Sequence, residues 1–232
     1  MNNIKAVLFD LDDTLFDREA AQSMALELIV KRFPGIFNGL EMEDIEAAFI
    51  ESDIVTSRDF DAGAPSEGLR DIRSRLFLKL LGIQEDYAEA ITEVYVRDYP
   101  TVNTPVAGAV PLVKELRNRF KAGVVSNGFP DVQYRKLETI GLLHEFSCIV
   151  LSEEIGIRKP LPGIFTHAAL LLQVEPSECL YVGNSYTSDV VGARNAGMTA
   201  CWLNREVMIP DNKDIQADYI ISDLKELLGI LR

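Results

Sequence analysis

Positive charge is scarce in this chain. Its 232 residues carry 23 lysines and arginines against 36 aspartates and glutamates, a net charge of −13 with both histidines neutral. So acidic a surface disfavours a nucleic-acid backbone or an anionic membrane as partner. A small phosphate stays admissible wherever a cation or a local basic pocket reverses the field. Cysteine is rare as well. Cys148, Cys179 and Cys201 are odd in number and sit singly in apolar runs. They read as small buried hydrophobes of a reducing compartment, without disulfide, metal or redox duty. No apolar run approaches the roughly 20 residues that span a bilayer. The first strand-like run starts at Ile4, which leaves no room for a signal peptide, so the expected location is cytoplasmic. Repeats of 20 to 50 residues and low-complexity segments are also missing.

What is present is ordinary globular composition, 47% hydrophobic and 25% charged. At this length about 70% of the unfolded surface is buried on folding, and the core needs no staples. Ala6-Val7-Leu8-Phe9 is a short continuous apolar run, the pattern of a strand buried on both faces. From Asp17 to about Asp98 the signals are helical, broken at Gly39, Gly63, Pro65 and Gly82. One expected helix, Ser66 to Leu81, spaces Leu69, Ile72, Arg73, Leu76 and Leu80 so that one face is mostly apolar. After Pro100 helices alternate with strand-like runs at 122–125, 148–151, 179–182, 200–203 and 219–221. That alternation predicts an α/β fold, a Rossmann-like parallel sheet between two helical layers, with right-handed crossovers. The expected organisation is a core of residues 1–16 and 100–232 with an inserted α-helical cap at 17–99. Two chain crossings join them, the construction of a hinged lid.

In open α/β sheets ligands bind beyond the carboxyl ends of the strands. The first strand ends in Asp10-Leu11-Asp12-Asp13-Thr14 and the second in Ser126-Asn127-Gly128. Lys159-Pro160 follows the third, and Gly183-Asn184-Ser185 ends the fourth, with Asp189 five residues after Asn184. Taken singly, these segments suit a solvated acidic turn, an N-cap turn and a surface lysine. Together they bring one chemistry to one edge. Two carboxylates close to a core need a cation or a proton to offset their repulsion. With an Asn carbonyl and a further Asp they form an all-oxygen set suited to Mg²⁺. Ser126 and Asn127 offer a hydroxyl and an amide, the helix from Pro130 offers free N–H groups, and Lys159 offers the cation for a transferring phosphoryl group.

The four segments, with Gly192-Ala193 and Ala196-Gly197 beyond them, resemble the ordered motifs of the haloacid dehalogenase-like hydrolase superfamily. The resemblance runs from the first strand to the last and includes a helical cap inserted after the first motif. It implies that Asp10 attacks phosphorus and that Asp12 is general acid and then general base. It further implies that Ser126 or Asn127 and Lys159 hold phosphoryl oxygens. Mg²⁺ is implied on Asp10, the Asp12 carbonyl and the fourth motif, Asn184 and Asp189. One departure stands out: the family's fourth motif usually begins Gly-Asp, and here it reads Gly183-Asn184. An amide oxygen still ligates Mg²⁺ but brings no charge.

The expected activity is Mg²⁺-dependent hydrolysis of a small phosphate monoester, a nucleoside monophosphate or a sugar phosphate, through an aspartyl-phosphate. The core stretch from Asn127-Gly128-Phe129 to Ser152-Glu153-Glu154-Ile155-Gly156, together with Thr199-Ala200-Cys201-Trp202-Leu203-Asn204, is similar to bacterial nucleoside-5′-monophosphate phosphatases of this superfamily. A phosphomutase or a dehalogenase of the same superfamily stays open, although the related dehalogenases lack a counterpart of Asp12. So does a non-catalytic phosphometabolite-binding module, the reading that Asn184 suggests. The expected partner is a small phosphorylated metabolite, bound by a monomer or homodimer. Within the cap, Arg58, Arg70 and Arg73 are the candidate contacts to the leaving group.

Overall fold

The sheet is built outward from β1, Ala6–Phe9, whose four residues are all buried. In the computed structural model, which describes residues 3–61, 66–210 and 215–232, β1 lies between β2 (Lys121–Ser126) and β4 (Cys179–Gly183). With β3 (Cys148–Leu151), β5 (Thr199–Leu203) and β6 (Tyr219–Ile221) the order is β3-β2-β1-β4-β5-β6, and every pair is parallel. Short apolar runs thus became strands because helical connections cover both faces. Ala6 and Leu8 pack with Ile164, Phe165 and Ala168 of the helix Pro162–Leu171. Val7 and Phe9 point the other way and are equally buried. The three cysteines are free and buried, and burial pushes their thiols up to about 12.

The chain divides into two compact units, Met1–Arg18 with Asn103–Arg232, and Glu19–Val102. The second holds helices α1 (Arg18–Arg32, from its second residue), α2 (Met42–Asp61), α3 (Leu69–Leu80) and α4 (Ala88–Asp98), and α5 (Ala109–Leu116) follows in the first unit. Gly39 and Gly82 lie between helices as expected, while Gly63 and Pro65 fall outside the described residues. No helix among the described residues is long and apolar enough to cross a membrane.

The apolar face expected for α3 is corrected. Ile72 and Leu80 are exposed, and the helix buries Ser74, Phe77 and Leu78. Aromatic packing decides the face. Phe77 meets Phe49 edge-on at 5.5 Å and Phe37 at 5.9 Å, and the hydroxyl of Thr92 on α4 satisfies Ser74 at 2.7 Å. A hydrogen-bonded serine turns inward at less cost than two large rings turn outward.

A tight point inside the sheet is Gly123, paired with Leu8 on one side and Cys148 on the other. A Cβ there would lie 2.6 Å from Cys148 Sγ, 2.8 Å from Leu8 Cδ2 and 3.2 Å from the Cys148 carbonyl oxygen. The substitution Gly123→Ala should therefore destabilise the fold by about 1–3 kcal/mol, the usual cost of overpacking a core. Urea unfolding of the two proteins checks this, and an unchanged midpoint would show that the sheet relaxes freely at this point.

Candidate active site

Asp10 follows β1 directly, and its N–H donates to the Val182 carbonyl at 2.9 Å, which extends the ladder to β4 by one residue. Its carboxylate faces the buried ammonium of Lys159. Nζ donates to Asp10 Oδ1 at 2.5 Å, to Asp189 Oδ1 at 2.7 Å and to the Tyr181 hydroxyl at 3.2 Å. These three bonds match the three donors of an ammonium, so Lys159 is held in one orientation. No described residue donates to Asp10 Oδ2, which leaves that oxygen available. Burial pushes Asp10 up to about 7, and Lys159 offsets only part of the rise while Asp189 adds to it. For Lys159 burial acts to lower the pKa, but Asp10 and Asp189 outweigh it and raise it above the ordinary lysine value. The lysine stays charged.

Asp189 is expected as a metal ligand, and the structure engages both of its oxygens with protein donors. Oδ1 takes Lys159, with the Tyr181 hydroxyl 3.1 Å away, and Oδ2 accepts from the Ser185 N–H at 2.9 Å. It occupies the space above Gly183, where a Cβ would lie 2.3 Å from Oδ2. Gly183 is glycine so that this carboxylate can reach the lysine.

Asp12 belongs to a second cluster whose other members the strand-end pattern misses. Helix α6, Pro130–Thr139, opens just after β2 and sends two buried polar side chains back to the edge. Lys136 Nζ lies 2.5 Å from Asp12 Oδ1, and Gln133 Nε2 donates to Asp12 Oδ2 at 2.8 Å. Gln133 Nε2 also donates to Ser126 Oγ at 2.7 Å, and the Gly128 N–H reaches the same oxygen at 3.1 Å. Burial raises the Asp12 pKa, but Lys136 and Arg18 outweigh it and hold the carboxyl below its ordinary value. One signal was visible in the sequence: Gln133 and Lys136, three residues apart, share the inward face of α6 with Val132 and Leu137.

The remaining predicted residues divide between the two units. Asn127 sits beside Lys159 but engages its main chain, accepting from its N–H at 2.8 Å and donating to its carbonyl at 3.0 Å. Asn184 presents Oδ1 to the Thr14 hydroxyl at 3.3 Å. Arg73 is packed inside the helical unit, 3.8 Å from the centre of the Tyr95 ring and 3.4 Å from Asp53 Oδ1. Arg58 is exposed beside Asp59, and Arg70 is half-buried with its carbonyl accepting from Thr92. Neither arginine belongs to the unit that carries Asp10 and Lys159.

A divalent metal is consistent with the donors at this edge. The described residues gather no group of three or more carboxylate, histidine or cysteine side chains as a cage. What they offer is one partly bonded carboxylate, Asp10, the Asp12 carbonyl, and the amide oxygen of Asn184, all hard oxygen donors. The raised pKa of Asp10 marks an incompletely compensated negative charge, which a cation would offset.

The chain matches the haloacid dehalogenase-like hydrolase family over residues 4–197. It is 33% identical to a glyceraldehyde 3-phosphate phosphatase of Methanopyrus kandleri, over 99% of this chain and 97% of the relative. It is 31% identical to the pyrimidine 5′-nucleotidase YjjG of Escherichia coli, over 97% and 96%. The crystal structure of the hydrolase YfnB of Bacillus subtilis bound to magnesium superposes with a TM-score of 0.87 at 28% identity, covering 99% of both chains. With a family match over most of its length and a relative 33% identical over 99% of it, this chain belongs to the haloacid dehalogenase-like hydrolases.

Proposed function

We propose that this hydrolase is a Mg²⁺-dependent phosphatase that cleaves a small phosphate monoester through an aspartyl-phosphate on Asp10. The observation that carries the reading is the state of Asp10: buried, bonded to Lys159 through one oxygen, with no described residue donating to the other. Oδ2 attacks phosphorus and the ester P–O bond breaks. Asp12 gives a proton to the departing alkoxide, then takes one from the water that attacks the acyl phosphate. Inorganic phosphate leaves and Asp10 is regenerated. Splitting the displacement in two lowers each barrier, and the proton transfers are worth typically ~10²–10⁴-fold. Lys159 fixes Asp10, Asn127 fixes the backbone of Lys159, and the Ser126 hydroxyl binds a phosphoryl oxygen. Mg²⁺ held by Asp10, the Asp12 carbonyl and Asn184 would neutralise phosphoryl charge and let a dianion approach a carboxylate.

The substrate class follows from chemistry and likeness together. The relatives are named for a triose phosphate and for pyrimidine nucleotides, and a sugar phosphate or a nucleoside monophosphate is the class we assign. Glyceraldehyde 3-phosphate and nucleoside 5′-monophosphates are esters of a primary alcohol, a poor leaving group that needs the proton Asp12 supplies. Phosphate release from a panel of sugar phosphates and nucleotides, with and without Mg²⁺, tests the assignment. It is lost if no member exceeds the rate of an Asp10→Asn control.

Two substitutions probe the roles. Asp10→Asn should remove turnover with every substrate and leave the melting temperature within a few degrees of the parent. Retention of more than about a thousandth of the parent rate would take Asp10 out of the nucleophile's role. Asn184→Asp adds one negative charge to the donor set and should lower the Mg²⁺ concentration for half-maximal activity about tenfold, equivalent to ~1.4 kcal/mol. The rate at saturating Mg²⁺ should change less. Metal titrations at fixed ionic strength, read both by activity and by thermal shift, decide the point. Equal midpoints would show that Asn184 is not a ligand.

A further inference from the structure

The cluster around Asp12 is more elaborate than an ion pair. Lys136 is buried, and its ammonium, 5.0 Å from the centre of the Phe16 ring, sits 2.5 Å from Asp12 Oδ1. Gln133 is fully buried and uses one nitrogen for two acceptors, Asp12 Oδ2 at 2.8 Å and Ser126 Oγ at 2.7 Å. Its Oε1 has no hydrogen-bond partner among the described residues. Turning the amide over would aim Oε1 at the Asp12 carboxylate, two acceptors face to face. Gly128 makes room for this side chain, since a Cβ there would lie 2.2 Å from Nε2. A buried amide oriented so that its oxygen goes unpaired is costly, and the orientation is explained by what the nitrogen holds.

The hydroxyl of Ser126 gives that explanation chemical content. A serine oxygen has two lone pairs and one proton. Gln133 and the Gly128 N–H occupy both lone pairs. Ser126 can then act toward a ligand only as a donor, the polarity a phosphoryl oxygen requires. Asp12 is treated in the complementary way. Each of its oxygens has a fixed donor, so the carboxyl is confined to one rotamer.

We propose that Gln133 and Lys136 are positioning residues for proton transfer: they hold Asp12 in its acid–base rotamer, and Gln133 also sets Ser126 as a donor. This rests on the phosphatase reading above, in which Asp12 protonates the leaving alkoxide. If the proposal holds, losing either residue harms substrates that need a protonated leaving group more than substrates that do not. A merely structural role would lower both alike.

The test measures kcat/KM, which covers the steps through release of the alcohol. The probes are 4-nitrophenyl phosphate, whose phenolate leaves unprotonated, and ribose 5-phosphate or uridine 5′-monophosphate, whichever the parent turns over faster. For Lys136→Met and Gln133→Met the ratio of alkyl to aryl kcat/KM should fall about tenfold or more, within the range of general acid catalysis. Lys136→Arg should recover most of it. Should Lys136→Met fail to fold, as judged by circular dichroism, Gln133→Met and Lys136→Arg carry the test. A parallel loss on both probes, or no loss, overturns the proposal. Asp12→Asn separates the two levels. If it lowers the ratio while the Gln133 and Lys136 variants do not, the positioning role fails and the phosphatase reading stands. If Asp12→Asn leaves the ratio unchanged, the acid role of Asp12 itself is wrong.

Discussion

The edge of the sheet is organised by one buried ammonium. Lys159 ties the end of β1, through Asp10, to the segment after β4, through Asp189. Removing such charges from water costs several kcal/mol per ion unless hydrogen bonds replace the hydration. Here the replacements are complete on the cation, and Asp189 gains the Ser185 N–H and the nearby Tyr181 hydroxyl. Neighbouring features follow from that requirement. Gly183 leaves room for Asp189, and Asn127 clamps the main chain of Lys159 at both its N–H and its carbonyl. At Gly192 a Cβ would lie 2.5 Å from the Phe165 ring and 3.1 Å from Pro160 Cα, so glycine lets the segment after β4 pack this close to the lysine's own loop.

Beside this cluster stands a second one of different balance. Asp12 and Lys136 neutralise each other, and Gln133 adds a neutral donor. Asp10, Lys159 and Asp189 instead leave one negative charge over. The contrast appears in the carboxyls: burial carries Asp10 up to about 7, whereas Asp12 is held below the ordinary aspartate value. A nucleophile must be ionised and an acid protonated, so the roles proposed for Asp10 and Asp12 require a cation beside Asp10 and the substrate's charge beside Asp12 to move both carboxyls away from these values.

Much of this was legible in the sequence, for identifiable reasons. A strand buried on both faces is a continuous apolar run, so the residues after Phe9, Ser126 and Gly183 could be placed on one edge before any coordinates. Gln133 and Lys136 were not found, because polar residues inside a helix usually read as its solvated face. They turn inward only because Asp12 and Ser126, from distant parts of the chain, meet them there. The face of α3 escaped for a related reason. Counting apolar residues favours Ile72 and Leu80, but Phe77 packs against Phe49 and Phe37 and Ser74 finds Thr92, so the buried side is Ser74, Phe77 and Leu78. In α6 long-range polar partners, and in α3 aromatic packing, override periodicity.

The same charge pattern bears on how so acidic a chain can handle a phosphate. Neither buried lysine is uncommitted: Lys159 is bonded to two carboxylates and Lys136 to one. Within these two clusters the charges leave a net negative, so a phosphate dianion arriving alone would meet repulsion at short range, in a setting where water screens poorly. Ser126 and the first N–H groups of α6 contribute dipoles, which orient an anion better than they neutralise it. On the phosphatase reading proposed above, a divalent cation on Asp10 would convert the local excess from negative to positive. An uncharged Asn184 would then leave more of that positive charge for the substrate than an aspartate would, in exchange for a weaker hold on the metal. The amide at position 184 would thereby shift the site's preference from binding the ion toward binding the ester.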